Sequence, residues 1–373
     1  MKIVVAMPYF FPHIGGVEMH VNTILKGLVN RYNHEVIVIT SRYDKSLPEY
    51  EVINGIKVYR LDISFTLANT PIGLNWYNKI KKIVMKESPD LINGRGPSPY
   101  ISDIASLVAK KLKLPFVLGW HYPSMIKGNL IFDILISIYE NVIFQFTLKN
   151  SKSIICSSKN VKETLLSHVK DKVTVITQGI DSEIYRIKNA KRKKHSILFV
   201  GNFELTVKGV IYLLKAIKIV KDKYSDVKLT IAGPITNNKY QEYCEREGIA
   251  NNVEFVGSKK SSQLSDLYNE TEIFVCPSTN ENFPSTLLEA MHCGTPVIAT
   301  KIGNVPQLIK DGVNGQLVEI EDEVGIANAI LKYFFDINFK DEMGSKGFES
   351  VIGKFDWNSK IEKTNNIFIN AIS

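Results

Sequence analysis

The sequence predicts an α/β protein of two domains, each built on a parallel sheet. Its 373 residues exceed what one compact domain usually holds. Short β-branched runs alternate with helical patterns, the signature of a parallel sheet covered on both faces. The alternation also stops and restarts once, between about residues 181 and 194. An apolar content of 45% with 23% charged residues is that of a soluble globular chain and excludes disorder or a fibrous repeat.

In the first series, strands are expected at residues 3–6, 35–40, 57–61, 91–93, 116–119, 153–156 and 173–176. The second series places them at 197–201, 228–232, 253–256, 273–276, 297–299 and 315–318. Residues 181–185 and the basic run Lys191-Arg192-Lys193-Lys194 lack an apolar period and suit an exposed linker, so the domains are expected at 1–186 and 187–354. A final segment, 355–373, carries Ile361, Ile367, Phe368 and Ile372 at spacings that suit an amphipathic helix.

The opening run, Met1-Lys2-Ile3-Val4-Val5-Ala6-Met7-Pro8, is too short for a secretory core and has no small-residue cleavage site, so it reads as a buried strand. Cys156, Cys244, Cys276 and Cys293 lie far apart and form no metal spacing; reduced thiols and a cytoplasmic setting are expected. Residues 130–148 approach bilayer-spanning length, but Asp133, Glu140 and Gln145 interrupt them. A charge near the centre of a spanning helix costs roughly 3 kcal/mol, which favours a buried or interfacial helix.

The formal charge is +8, and it is unevenly placed. Residues 1–186 carry 23 Lys and Arg against 15 Asp and Glu, whereas residues 187–373 carry 23 against 23. An excess confined to one half fits an anionic partner (nucleic acid, an acidic membrane surface or a phosphorylated substrate) or simply lysines on solvated helix faces.

The candidate chemistry sits in three segments. After the first strand, Gly15-Gly16 precede a helical pattern through Val21, Ile24, Leu25 and Leu28, where backbone could approach an anion; a tight strand-to-helix turn explains the glycines equally well. A dinucleotide fingerprint is absent, and the second strand ends in Ile39-Thr40-Ser41 with no acid to hold a ribose. In the second half, Val200-Gly201-Asn202 closes a strand and Lys208-Gly209 opens a helix, placing a lysine where it can reach phosphates or merely be solvated.

The most informative segment runs from Cys276 to Val297 and reads as strand, loop, short helix, glycine stop and next strand. Pro284 suits the first helical turn and Gly294 the residue past its end. Ser285, Thr286 and Leu287 then offer free backbone N–H groups at a positive helix terminus, a seat for a diphosphate. Glu281 lies before that helix and Glu289 within it, so they suit different hydroxyls of one ligand rather than an acid and base pair; Glu289 also fits a plain helix-face carboxylate.

Glu281 to Glu289 resembles the Glu-x7-Glu signature of retaining GT-B glycosyltransferases, most closely glycosyltransferase family four. Further matches run in order along nearly the whole chain: Gly15-Gly16, Gly119-Trp120-His121, Ser157-Ser158, Gln178-Gly179-Ile180-Asp181, Lys208-Gly209, Ala232-Gly233-Pro234, Phe255-Val256-Gly257 and the segment from Gly303 to Gly315. The resemblance implies two Rossmann-like domains facing each other across a cleft, with 355–373 returning to the first. It implies a nucleotide-sugar donor on the second domain and a lipid-linked or glycan acceptor on the first. Carried onto matching positions, Lys208 binds the diphosphate, Glu281 the sugar hydroxyls, Glu289 the ribose and His121 the sugar. Gly15 and Gly16 lie near the donor, Phe283, Pro284, Ser285, Thr286 and Leu287 form its phosphate loop, and Gly257 and Ser258 lie near the base. Asn202 stands where the family usually has an arginine, Asn282 where it has a glycine, and Gln307 where it often has a glutamate.

No Asp-x-Asp pair offers a metal site, so metal-independent transfer is expected, with no cofactor and no nucleic-acid partner. The basic first half adds an expected peripheral contact with the cytoplasmic face of an anionic membrane. Rival readings are a nucleotide-sugar epimerase or hydrolase on the same plan, and a nucleotide-sugar-binding protein without turnover, which the missing arginine keeps open.

Overall fold

The structure is a computed structural model that describes every residue except 14, 68–69, 97–99, 122–133, 135, 166 and 282. Its contacts divide the chain into two units, Met1–Gly179 with Trp357–Ser373, and Ile180–Asp356.

The first unit has strands β1 (Lys2–Ala6), β2 (Glu35–Arg42), β3 (Tyr50–Ile53) and β4 (Ile56–Asp62), a small two-stranded pair β5 (Phe65–Leu67) and β6 (Thr70–Ile72), then β7 (Leu91–Arg95), β8 (Phe116–Trp120), β9 (Ser153–Cys156) and β10 (Val173–Val175). Eight of them form one sheet in the order β10-β9-β8-β7-β1-β2-β4-β3, parallel except for the edge strand β3. Ile3, Val4, Val5 and Ala6 are all fully buried, which explains a continuous apolar run rather than an alternating one. Val4 and Ala6 face one core and Ile3 and Val5 the other, as the strand period requires.

Helices α1 (Gly16–Tyr32), α2 (Trp76–Glu87), α3 (Ile101–Leu112), α4 (Phe144–Asn150) and α5 (Lys159–Thr164) cover the sheet. The β3–β4 hairpin was not anticipated, although Asn54-Gly55 between its strands is a strong turn signal; both residues are left-handed, at φ 50° and 79°. Of the apolar stretch 130–148, residues 130–133 and 135 lie outside those described. In the remainder, Tyr139–Ile143 forms a π-helical turn and α4 buries Phe144, Thr147 and Leu148, while Ile134, Ile138, Val142 and Ile143 are exposed. No helix among the described residues is long and apolar enough to cross a membrane.

The second unit has β11 (Lys193–Val200), β12 (Lys228–Ala232), β13 (Val253–Phe255), β14 (Thr271–Cys276), β15 (Val297–Thr300) and β16 (Gln316–Val318), all parallel in the order β13-β12-β11-β14-β15-β16. Its helices are α6 (Val210–Lys221), α7 (Lys239–Arg246), α8 (Ser261–Glu270), α9 (Ser285–His292), α10 (Val305–Leu308), α11 (Glu323–Phe335) and α12 (Ile337–Val351). The last helix, α13 (Trp357–Ile372), belongs to the first unit, where Ile361, Phe368 and Ala371 pack with Val21, Leu25 and Leu28 of α1. Gly27 makes that approach possible, since a Cβ there would lie 2.2 Å from Ile361 Cδ1.

The division falls at 179/180 and 356/357, not at 186/187 and 354/355. Ile180 N–H donates to Phe355 O at 2.7 Å, and Ile180 and Tyr185 are buried in the second unit's core. The basic run is exposed at Lys191, Lys193 and Lys194 but is not a linker: Lys193 begins β11, and Arg192 Nη2 donates to Gly294 O at 2.6 Å. All four cysteines are buried free thiols.

Candidate active site

In the second unit the sheet order reverses between β11 and β14, and their following helices go to opposite faces, α6 into the core with Phe199 and Val275 and α9 into the core with Leu198 and Phe274. The loops leaving the carboxyl ends of these two strands therefore diverge, which is where open α/β sheets bind ligands. Lys208 ends a 3-10 turn, Thr206–Lys208, on the first loop; Glu281 lies on the second. The loops are stitched together: Thr279 N–H donates to Val207 O at 2.8 Å. Gly209 has φ 66°, and a Cβ on it would stand 2.0 Å from Pro277 O, so only glycine allows this approach. The result is that Lys208 Nζ donates to Glu281 Oε1. The two side chains are 26% and 19% exposed, open enough for a ligand to exchange partners with them.

Helix α9 follows directly. Pro284 is its N-cap, at φ −72° and ψ 111°, rather than its first helical residue, and no side chain caps the end. Leu287 N–H donates back to Pro284 O at 3.2 Å, so the expected set of three free donors is reduced to Ser285 and Thr286, whose N–H groups have no acceptor among the described residues. At the other end Gly294, at φ 67°, closes a Schellman motif: Gly294 N–H bonds Met291 O and Thr295 N–H bonds Ala290 O, both at 3.0 Å.

Glu289 points away from that pair to different partners. Tyr268 Oη donates to Glu289 Oε2 at 2.9 Å, and Tyr185 also hydrogen-bonds it. Burial of the carboxyl pushes it up to about 7, against the pull of those two hydroxyls. Sequence reasoning missed both tyrosines, which come from residues remote in the chain. Asn202 is exposed, and its Oδ1 accepts from Glu204 N–H at 3.3 Å, so it caps its own loop and adds no charge near Lys208. Phe283 packs against Phe355, ring centroids 5.9 Å apart. Gly257, at φ 69°, has open space at its Cβ position, and Ser258 beside it is exposed. Asn282 lies outside the described residues.

Gly15, Gly16 and His121 belong to the first unit. Gly15 is the extended N-cap of α1, under the Glu18 carboxylate, and a Cβ on Gly16 would meet nothing within 4 Å. His121 is buried beside His20, ring centroids 5.5 Å apart. Burial, then His20 and Arg95, hold its imidazole well below the usual histidine range. His20 is lowered to about 4, chiefly by burial and then by Arg95, although a hydrogen bond with Gln178 Oε1 at 3.0 Å opposes this. Neither His20 nor Arg95 was singled out in the sequence.

Two Rossmann-like units in one chain, the second with a lysine–carboxylate pair at its switch point, define a GT-B glycosyltransferase fold. Profiles of known families agree: "Glycosyltransferase Family 4" matches residues 14–184 and "Glycosyl transferases group 1" matches residues 181–350. The chain belongs to this glycosyltransferase family. An uncharacterized glycosyltransferase of Methanocaldococcus jannaschii is 29% identical, over 99% of this chain and 98% of that protein. The phosphatidylinositol N-acetylglucosaminyltransferase GPI3 subunit of Saccharomyces cerevisiae is 25% identical, over 100% of this chain and 83% of that protein. Among solved structures, Anabaena HepE in complex with UDP superposes with a TM-score of 0.77 at 18% identity, covering 99% of this chain and 100% of that one.

Proposed function

We propose that this glycosyltransferase moves a hexose, with retention, from a UDP- or GDP-sugar to a hydroxyl of a phosphorylated, lipid-linked acceptor. The observation that carries the donor half is the Lys208–Glu281 pair beside the uncapped end of α9. A nucleotide diphosphate satisfies Lys208 and the Ser285 and Thr286 N–H groups, and sugar hydroxyls satisfy Glu281. Glu289 suits the ribose hydroxyls, and Gly257 with Ser258 leaves room for the base. The UDP held by HepE, a protein of the same fold, supports a nucleotide donor. The name of the yeast relative supports a phosphatidylinositol-type acceptor.

In the proposed reaction the bond from the sugar's anomeric carbon to the diphosphate oxygen breaks, and a bond to the acceptor oxygen forms on the same face. The acceptor's proton passes to the leaving phosphate, whose developing charge Lys208 and the helix terminus stabilise without a metal. Among the described residues no three His, Cys, Asp or Glu side chains converge as metal ligands. Lysines on α2 and α3 are proposed to hold the enzyme at an anionic membrane surface.

The test is incubation with UDP- and GDP-sugars, with and without phosphatidylinositol vesicles, reading free nucleotide and the anomeric configuration of any product. Acceptor-dependent release with retained configuration is expected. Release without a glycosylated product identifies a hydrolase, an epimerised donor an epimerase, and binding without turnover a carrier; each overturns the proposal.

A further inference from the structure

The first unit holds a cation that the donor chemistry does not use. Arg95 is the last residue of β7 and has no exposed surface. Its Nε donates to Asn93 Oδ1 at 2.7 Å, and Asn93 is fixed in turn by Nδ2 donating to Val117 O at 2.9 Å. Both terminal guanidinium nitrogens are buried, and among the described residues they have neither a hydrogen-bond partner nor a pairing carboxylate. Room for it is made at Gly119, where a Cβ would stand 2.5 Å from Arg95 Cδ and 2.8 Å from Nη1.

Buried charges in folded proteins are paired or held by ligands, because removal from water is otherwise uncompensated. The position strengthens the reading. The first sheet reverses its order between β1 and β7, so the carboxyl end of β7 is its ligand-binding address, as the carboxyl ends of β11 and β14 are in the second sheet. The charges acting on the neighbouring imidazoles are positive: after burial, Arg95 lowers His20 and Lys360 lowers it further, and burial, then His20 and Arg95, hold His121 well below the usual histidine range.

We propose that Arg95 is an anion receptor of the first unit, whose two unpaired guanidinium ends take the phosphate of the acceptor in a forked pair of hydrogen bonds. A fork matches two phosphate oxygens, which a lysine cannot do. Because Arg95 has no exposed surface, the anion enters through a local opening. The assignment of the anion to the acceptor rests on the function proposed above; the existence of the receptor does not.

Thermal melting of the full chain tests it, with inorganic phosphate titrated against sodium chloride at equal ionic strength. Wild type is expected to gain melting temperature saturably with phosphate. Arg95→Met is expected to melt above wild type without phosphate, having lost an unpaired buried charge, and to lose all of the response except what the Lys208 site contributes, which Lys208→Ala measures. Arg95→Lys, which keeps the charge, is expected to respond at least tenfold more weakly, and it serves alone if the methionine variant does not fold. Lys208→Ala, in the other unit, keeps the Arg95-dependent response. Vesicles of phosphatidylinositol against phosphatidylcholine, beside soluble glycerol phosphate, then separate a lipid headgroup from a free phosphate ester. A wild type that ignores every phosphate, or variants at Arg95 that respond as wild type does, overturns the receptor. Intact phosphate binding without glycosyl transfer to any phosphorylated acceptor leaves the receptor standing and overturns the acceptor reading instead.

Discussion

Each unit reverses its sheet order once and puts a cation beside the reversal, Arg95 at the end of β7 and Lys208 in the loop after β11, yet they treat it in opposite ways. Lys208 is partly open to water and held by Glu281; Arg95 has no exposed surface, and among the described residues its guanidinium is held by the neutral amide of Asn93. A paired, accessible lysine exchanges its carboxylate for an incoming diphosphate at little desolvation cost, which suits a substrate that must leave after each turnover. An unpaired, buried arginine has already lost its water, so its attraction for an anion is undiluted by solvent. On the two proposals above, the same kind of sheet reversal supplies one site built for exchange and one built for recognition.

The comparison breaks most visibly at the pair. Lys208→Ala and Glu281→Ala are each expected to lower kcat by about 10²–10³, the loss typical of removing one preorganised charge-stabilising group. Melting curves should stay near wild type, because both side chains are partly exposed. If turnover survives in both variants below donor saturation, the pair is a surface ion bridge and the donor site lies elsewhere. Activity should also persist in EDTA if, as proposed, Lys208 and the α9 terminus carry the role a metal would have; strict dependence on added manganese or magnesium contradicts that assignment.

Gly209 sharpens the contrast from the backbone side. Alanine there needs both a left-handed backbone and space already filled by Pro277 O. The expected cost is about 2 kcal/mol or more, lowering Tm by roughly 5 °C in a unit of this size. Because Gly209 adjoins Lys208, activity should fall further than stability alone accounts for. A variant as stable as wild type shows that the two loops do not depend on this approach.

A third, smaller effect is expected at Glu289, whose carboxyl is raised to about 7 by burial. A raised folded-state value means the folded protein binds the proton more tightly than the unfolded chain does. The associated stability is fully present below the unfolded carboxyl range, near 4.5, and is lost as pH rises through about 7. Nucleotide affinity should run the other way, rising through the same window as the carboxylate forms to accept ribose hydroxyls. Glu289→Gln should flatten both profiles, read by melting and by UDP titration calorimetry between pH 5 and 8. A UDP affinity that is flat with pH in wild type places the ribose away from Glu289.

Most of the fold was legible because strands buried on both faces must be apolar runs, and β1, β9 and β15 announce themselves in that way. The domain boundary was not. Residues 181–185 look like linker, but Ile180 and Tyr185 find their burial against Tyr268 and Phe274, contacts no local pattern encodes. Lys208 and Glu281 could each be picked out, whereas their meeting depends on the reversal between β11 and β14. Arg95 was invisible for the opposite reason. Its meaning lies in a missing partner, and a sequence cannot show that a charge has been left unpaired.

The smallest expected effect concerns the part of the first unit where α2 packs on α3 and both carry lysines. Near an anionic bilayer each contributes about 1 kcal/mol, or roughly fivefold in binding, and the attraction fades beyond a screening length of about 8 Å at physiological salt. The lysines are not equivalent. Lys79 already faces Asp62 at 3.7 Å and Lys86 lies against the Tyr59 hydroxyl at 3.3 Å, so part of their charge is engaged within the protein. Lys82, Lys111 and Lys113 are exposed, and the hydrophobic side chains of Met85 and Leu107 are exposed nearby in sequence on α2 and α3. Co-sedimentation with phosphatidylserine-containing vesicles should therefore weaken most for Lys82→Glu, Lys111→Glu and Lys113→Glu and least for Lys79→Glu, and binding of wild type should fall as salt rises. Equal, negligible binding to neutral and anionic vesicles removes the membrane reading. Because none of these lysines adjoins Arg95 in the chain, the phosphate-dependent gain in melting temperature should survive all four substitutions, which separates charge that attracts a surface from charge that reads a headgroup.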